Sequence, residues 1–419
     1  MKAQLIIKNI GQLATMAGSA PRVGTDMHDI EILKNAYVAI ADGKFIDLGC
    51  GDYSNLVDEN TIIHDANGLT ATPGLVDGHT HIVHGGSREH EFAMKLEGVP
   101  YIEILKKGGG ILSTVNSTKE ASFEELYNKA KKSLDIMLKF GVTTVEGKSG
   151  YGLELDTELK QLEVAKKLNN DHPVDLVSTF MGAHAVPIEY KENPKKYIDI
   201  IINEMMPKVK ELDLAEFCDV FCEEGVFSVE ETKLILEEAK KLGFGAKIHA
   251  DEIVSLGGAE LSAEVGCISA DHLMAASEEG MKMMADKGVI ANILPGTSFS
   301  LMKNYANARK MIELKVPVAL SSDYNPGSCP SENMQFVMQL GCLGLKMTPN
   351  EVLSSVTINA ACAIGREKEI GSIEVGKKAD LVIFDAPNVD YLMYHFGINH
   401  TKKVYKEGKL VVDNQNLVY

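Results

Sequence analysis

His79 and His81 stand two positions apart just after a short apolar run, Gly74-Leu75-Val76-Asp77. On an extended strand, residues i and i+2 point to the same face, so both imidazoles can converge on one ion. Alone, such a pair reads as two surface histidines. Three further runs end in residues of kindred chemistry: Ala246-Lys247-Ile248-His249, Ile268-Ser269-Ala270-Asp271-His272, and Val316-Pro317-Val318-Ala319-Leu320 with Asp323 shortly after it. Neutral imidazole and carboxylate suit a borderline divalent ion such as zinc or iron. His79, His81, His249 and Asp323 are the expected ligands of a single ion, with one position left for water. A Lewis-acid ion brings the pKa of that water toward ~7 and provides hydroxide at neutral pH, so the chemistry implied is hydrolysis.

For these residues to meet, the runs that carry them must end at one face. Eight candidate strands alternate with helical patterns between roughly residues 71 and 366. Besides the four above they are Val142 to Glu146, Leu176 to Phe180, Phe217 to Phe221 and Val289 to Ile293, with helices expected over Ser122 to Phe140 and Ser228 to Leu242. Eight β–α alternations in this length predict an α/β chain built on a (β/α)8 TIM barrel, whose active site lies at the C-terminal ends of its strands. The two ends of the chain read differently. Tyr37 to Ile40 and Phe45-Ile46 flank Asp42-Gly43, a hairpin signal, and Ala379 to Phe384 and Lys409 to Val412 read as strands. Residues 1–70 plus 367–419 are therefore expected to form a small β-sandwich domain from both termini, beside a barrel over 71–366.

Composition narrows the function. The 419 residues carry 42 Lys+Arg against 59 Asp+Glu, a net charge of −17, which argues against a nucleic-acid partner. No apolar stretch reaches the ~20 residues that span a bilayer. The apolar run before Ile10 is broken by Lys8 and Asn9, so an opening strand is expected rather than a signal peptide. Seven scattered cysteines fit reduced thiols in a cytoplasmic protein better than a disulfide framework. Cys218 and Cys222 lack a second pair to complete a zinc knot and read as core thiols. Gly108 to Gly110 match neither a dinucleotide fingerprint nor a P-loop and read as a backbone turn beside the pocket.

With His-x-His on the first barrel strand, His on the fifth and sixth and Asp on the eighth, the chain resembles the amidohydrolase superfamily. The segment Gly371 to Leu381 in the terminal β region is similar too. Within that superfamily the chain most resembles the imidazolonepropionase family. The segments that carry this are Asp77 to His81 with Gly85 to Glu89, Gly108 to Ile111, Lys148 to Leu153, His249 to Glu252, Ala270 to Leu273, and Ser322 to Ser328. The resemblance spans nearly the whole chain. It implies opening of the 4-imidazolone-5-propanoate ring to N-formimidoyl-L-glutamate, a step of histidine degradation, with a homodimer as the family-level assembly.

That substrate carries a propionate, and Arg88 can give its carboxylate two parallel hydrogen bonds; a surface salt bridge with Glu89 or Glu91 is the alternative. Tyr151 could donate to the same carboxylate. By the resemblance, His184 contacts the ring or the metal-bound species, and Asn325, Gly327 and Ser328 match product-binding positions, with turn chemistry as their alternative. Glu252 is expected to bond a ring nitrogen and shuttle protons. His272 is expected to orient the attacking water or polarise the ring carbonyl, and Asp323 or Glu252 to return a proton to the leaving nitrogen. The fourth run ends Phe221-Cys222-Glu223-Glu224. It offers no lysine for the carboxylated bridge of binuclear members, although Glu223 could bridge a second ion. Lys148 follows the second run and is not that lysine. Rival readings are a ring deaminase of the cytosine or guanine type, which needs no carboxylate clamp, and a non-catalytic metal-binding scaffold.

Overall fold

A computed structural model describes residues 1–99, 103 and 109–419; Gly108 of the expected glycine turn lies outside the described residues. The chain opens with strands β1 (Leu5–Ala14), β2 (Ile32–Ala41), β3 (Lys44–Cys50), β4 (Ile62–Asp65) and β5 (Thr70–Pro73). Eight strands follow: β6 (Leu75–Thr80), β7 (Val142–Lys148), β8 (Asp175–Ala183), β9 (Phe217–Cys222), β10 (Gly245–Ala250), β11 (Ser269–His272), β12 (Ile290–Ile293) and β13 (Val318–Leu320). They pair in parallel, each with its neighbour in sequence, into one eight-stranded sheet. An isolated parallel bridge between Thr80 and Tyr324 joins the segment after the last strand to the first strand, so the sheet closes into the expected barrel.

The connecting helices form where the periodicity predicts them. Ser122 caps the helix Phe123–Lys139 and Ser228 caps the helix Val229–Lys241, each in a reciprocal pair with a glutamate three residues on, Glu125 and Glu231. Such caps satisfy the otherwise orphaned N-terminal amides, at about 1 kcal/mol each. The first helix buries Leu126, Ala130, Leu134, Met137 and Leu138, the i, i+4 stripe that faces a sheet. These side chains belong to one core that also takes in Val145 and Val177 from the barrel strands.

Strands β14 (Leu381–Phe384), β15 (Thr401–Lys406), β16 (Lys409–Asp413) and β17 (Asn416–Leu417) rejoin β1–β5 in a nine-stranded mixed sheet, with β5 between β1 and β14. Leu5, Ile7, Val38, Phe45, Leu381, Ile383 and Tyr405 share its own apolar core. The Asp42-Gly43 turn joins β2 to β3 with positive φ at both residues, as a tight hairpin of this hand demands. β5 carries the terminal sheet to Pro73, just past the expected boundary at residue 70. Among the described residues, no helix is long and apolar enough to cross a membrane.

Candidate active site

The seam that closes the barrel is also where the chemistry gathers. Asp323 N–H donates to the His79 carbonyl (3.1 Å) and His81 N–H to the Tyr324 carbonyl (2.8 Å), so β6 and the segment after β13 are laced together at the strand ends. Asp323 Oδ1 thereby comes within 3.4 Å of His79 Nε2 and 3.9 Å of His81 Nε2. His249, at the end of β10, brings its ring centroid to 4.5 Å from that of His79. One ligand atom from each of His79, His81 and His249 lies within 4.8 Å of the others, and the same holds for His79, His272 and Asp323. All five side chains are buried. Asp323 and His272 hold positive φ, 56° and 77°. Such strain in a non-glycine backbone costs on the order of 1–2 kcal/mol and gathers at functional sites.

The orientation of two of these rings is set from behind. His79 Nδ1 donates to Asp271 Oδ2 (2.5 Å) and His249 Nδ1 to Asp219 Oδ1 (3.0 Å). Burial, reinforced by neighbouring rings and the Lys148 ammonium, holds His79, His81 and His249 well below the usual histidine pKa. The rings are therefore neutral. With Nδ1 donating, the Nε2 lone pairs of His79 and His249 face the shared centre, and neither atom has a hydrogen-bond partner among the described residues. Buried polar atoms normally find partners, so these orphaned lone pairs, with a carboxylate oxygen beside them, fit a cation. This donor set suits a divalent metal.

The remaining expected residues border the same mouth. His184 stacks on His81 (4.7 Å, 12° between planes) and Tyr151 lies 5.2 Å from the His184 ring. Gly150 admits this packing: it has φ 107°, its carbonyl accepts from His184 Nδ1 (3.0 Å), and a Cβ there would lie 2.8 Å from that nitrogen. Burial depresses the His184 pKa to about 4, against the bond to Gly150. Arg88 pairs with Glu91, but this is no surface salt bridge: Glu91 is fully buried and also accepts from Gly110 N–H (2.7 Å). Arg88 Nη1 lies over Gly327. Asn325 spends its side chain inside its own loop, donating to the Asp323 carbonyl and Ser328 Oγ and accepting from the N–H groups of Gly327 and Ser328.

Three acid–base groups face the centre. Burial pushes Asp323 up to about 6, opposed by His272 and by the Thr297 hydroxyl, which donates to Oδ2 (2.5 Å). Burial, then the charge of Glu223, pushes Glu252 up to about 7. Glu252 Oε2 stands 3.7 Å from His272 Nε2. Glu223 itself accepts from the N–H groups of Glu224 and Ile253. It belongs to none of the His/Asp clusters able to hold an ion among the described residues.

Sequence reasoning named Glu91 only as a surface partner of Arg88, and it missed Thr297 and a layer of charge beneath the histidines. Lys148 lies fully buried among Glu146, Asp219 and Asp271. A signal existed: Glu146 and Lys148 alternate on one strand, as do Lys247 and His249, which points charge into a barrel interior usually filled by branched aliphatics.

A family model described as the Amidohydrolase family matches residues 70–411. An imidazolonepropionase of Alkaliphilus oremlandii is 62% identical over 422 aligned residues, covering 100% of both chains. One of Fusobacterium nucleatum is 59% identical, covering 98% of this chain and 99% of that one. Among solved structures, an adenosine deaminase from Xanthomonas campestris with bound zinc superposes with a TM-score of 0.75 at 17% identity, covering 100% of this chain and 94% of that one; at that identity the likeness concerns the fold alone. Matched over most of its length by the family model and over its whole length by these relatives, the chain belongs to the amidohydrolase family and, within it, to the imidazolonepropionases.

Proposed function

We propose that this chain hydrolyses 4-imidazolone-5-propanoate to N-formimidoyl-L-glutamate, a step of histidine degradation. Water adds to the ring carbonyl carbon, the C–N bond of the cyclic amide breaks, and the leaving nitrogen takes a proton. The observation that carries this reading is an arginine edge beside the histidine cluster. Glu91 occupies Nε and Nη2 of Arg88, and Nη1 makes no hydrogen bond among the described residues. A deaminase of neutral bases has no use for such a cation, whereas a propionate does.

In this reading His79, His81, His249 and Asp323 hold one divalent ion, zinc or iron. Such an ion supplies Lewis-acid activation of water and of the ring carbonyl. Arg88 fixes the propionate, with the Tyr151 hydroxyl as a second donor, while His184 packs against the ring and the loop of Asn325, Gly327 and Ser328 covers the acyl end of the product. His272 polarises the carbonyl and stabilises the oxyanion. Burial leaves Glu252 with a pKa of about 7, so near neutrality it can take a proton from water, and Glu252 or Asp323 returns one to nitrogen. The same reading divides the chain into a barrel unit, 71–366, and a terminal β unit, 1–70 plus 367–419, and carries cytoplasmic residence and homodimeric assembly.

Turnover of 4-imidazolone-5-propanoate, cytosine and guanine by the metal-loaded protein tests it. The expected result is a product one water heavier than the imidazolone and no reaction with either base. Ammonia release from a base, with the imidazolone untouched, would sink the reading.

A further inference from the structure

Beneath the histidine cluster lies a buried ionic layer. Lys148 Nζ donates to Asp219 Oδ2 (2.7 Å) and Glu146 Oε1 (3.0 Å) and pairs with Asp271 Oδ2 at 3.5 Å. Lys247 Nζ donates to Glu146 Oε2 (2.6 Å), and Thr179 Oγ1 donates to Oε1 of the same carboxylate (2.5 Å). All five charged side chains are fully buried. Two ammonium groups against three carboxylates in an interior is an expensive arrangement. Apolar side chains of similar volume often fill such a space at no cost in stability, or with a gain. The arrangement therefore calls for a reason other than packing.

Connectivity supplies one. Asp271 accepts from His79 and Asp219 from His249, while Lys148 meets Asp219 at its other oxygen, Oδ2, and Asp271 at the same Oδ2 that His79 bonds. The histidines come from β6 and β10, the carboxylates from β11 and β9, and the lysine from β7. One ammonium thus spans two carboxylate–histidine pairs drawn from four strands. We propose that Lys148 is a positioning residue that locks Asp219 and Asp271 in place, and through them fixes the tautomer and aim of His79 and His249 together. Without it the carboxylates repel one another across the gap, and the two Nε2 lone pairs lose their common focus. Groups that orient metal-ligating histidines in this way are typically worth about 10–100-fold in metal affinity.

This inference rests on the reading of His79 and His249 as ion ligands, and the experiment separates the two. Zinc affinity is measured by chelator competition for the parent, Lys148→Met, Asp219→Asn, Asp271→Asn and His249→Ala. Histidine-selective 15N NMR of the metal-free proteins reports the tautomers. The expected result is a loss of about 10–100-fold in zinc affinity for Lys148→Met and for each Asn variant, with the Nδ1-protonated signals of His79 and His249 weakened in Lys148→Met. In the Asp219→Asn/Asp271→Asn background, Lys148→Met should add little. If Lys148→Met melts earlier but binds zinc as the parent does with unchanged tautomers, its role is structural and the proposal falls. If Lys148→Met does not fold, the Asn variants decide: parental zinc affinity in both overturns the proposal. Parental affinity in His249→Ala instead overturns the ligand reading beneath it.

Discussion

Arg88 turns the Nε–Nη2 edge of its guanidinium onto Glu91, with both hydrogen bonds at 3.1 Å, and carries Nη1 over the spot where a Cβ on Gly327 would stand. One edge is held by the protein, and Nη1 makes no hydrogen bond among the described residues. Glu91 is in turn bound by Gly110 N–H and faces Lys95 at 3.9 Å. Although burial opposes it, Arg88, Gly110 and Lys95 together hold its carboxyl below the usual range. Glu91 is thus a charged anchor that aims Arg88.

Removing the anchor should loosen substrate without touching the chemistry. Glu91→Gln is expected to raise KM about 10-fold with kcat near the parent's, since one charge-assisted bond is worth about 1.5–3 kcal/mol. Arg88→Met should lose about 100-fold or more in kcat/KM. Arg88→Lys should fall between, because a point charge lacks the fork. Steady-state kinetics check the split. A drop in kcat with KM unchanged in Glu91→Gln would contradict the anchoring role.

Gly327 offers a test from the opposite side. A methyl group there would overlap Nη1 and sit 2.6 Å from Cζ, so the guanidinium must move. Gly327→Ala should raise KM about 10-fold or more while metal content stays at the parental level. In the Arg88→Met background it should add almost nothing, because the two changes act through one group. Additive losses would show that Gly327 works by another route.

The barrel could be read from the chain because its strands are short, largely apolar runs alternating with helical patterns, and the histidines near the ends of the first, fifth and sixth announce which end matters. The helix bounds were equally legible, since Ser122 and Ser228 carry their glutamate partners three residues on. Arg88 was visible as a cation but not its aim, because two glutamates, Glu89 and Glu91, flank it and only folding decides that Glu91 is buried beneath it. Lys148 was harder still. Its partners Asp219 and Asp271 are distant in the chain, and the alternation of Glu146 and Lys148 on one strand hints at an interior ammonium without naming what it pairs with. Asn325 was read as a product-binding position with turn chemistry as its alternative; its side chain satisfies loop amides, and spacing alone does not separate the two.

The unpartnered Nε2 atoms of His79 and His249 predict that metal stabilises the fold as well as activating it. Chelation should abolish hydrolysis, and zinc or iron(II) should restore it. An ion at about 100 times its Kd adds about 2.7 kcal/mol to stability, so the midpoint of thermal unfolding should climb with metal concentration. Asp323→Asn removes the carboxylate charge and should flatten that climb and cut activity by at least about 100-fold. Calorimetry across a metal titration is the measurement. A midpoint indifferent to metal would remove the ion from the site.

Glu252 makes a prediction whose sign can be worked out. Its pKa is raised from 4.5 to about 7, first by burial and then by Glu223. Between those values the unfolded chain has released a proton that the folded chain still holds. Unfolding is then coupled to proton release, and stability falls as pH rises through this window, reaching a plateau above about pH 7 where both states are ionised. Glutamine carries no such proton. The stability of Glu252→Gln relative to the parent, in metal-free protein, should therefore grow from about pH 4.5 to about pH 7 and then level off. Its rise should be on the order of 3 kcal/mol at most, because each tenfold change in proton affinity is worth about 1.4 kcal/mol. Urea unfolding near pH 5 and near pH 8 measures it, and subtracting the parent removes the contribution of Asp77, whose pKa burial also raises, and leaves of Asp323 only the part that the Glu252 charge causes. The same variant should lose about 100-fold or more in kcat if Glu252 moves protons. A pH-independent stability difference, with kcat preserved, would show Glu252 to be neither a buried titrating group nor a participant in the reaction.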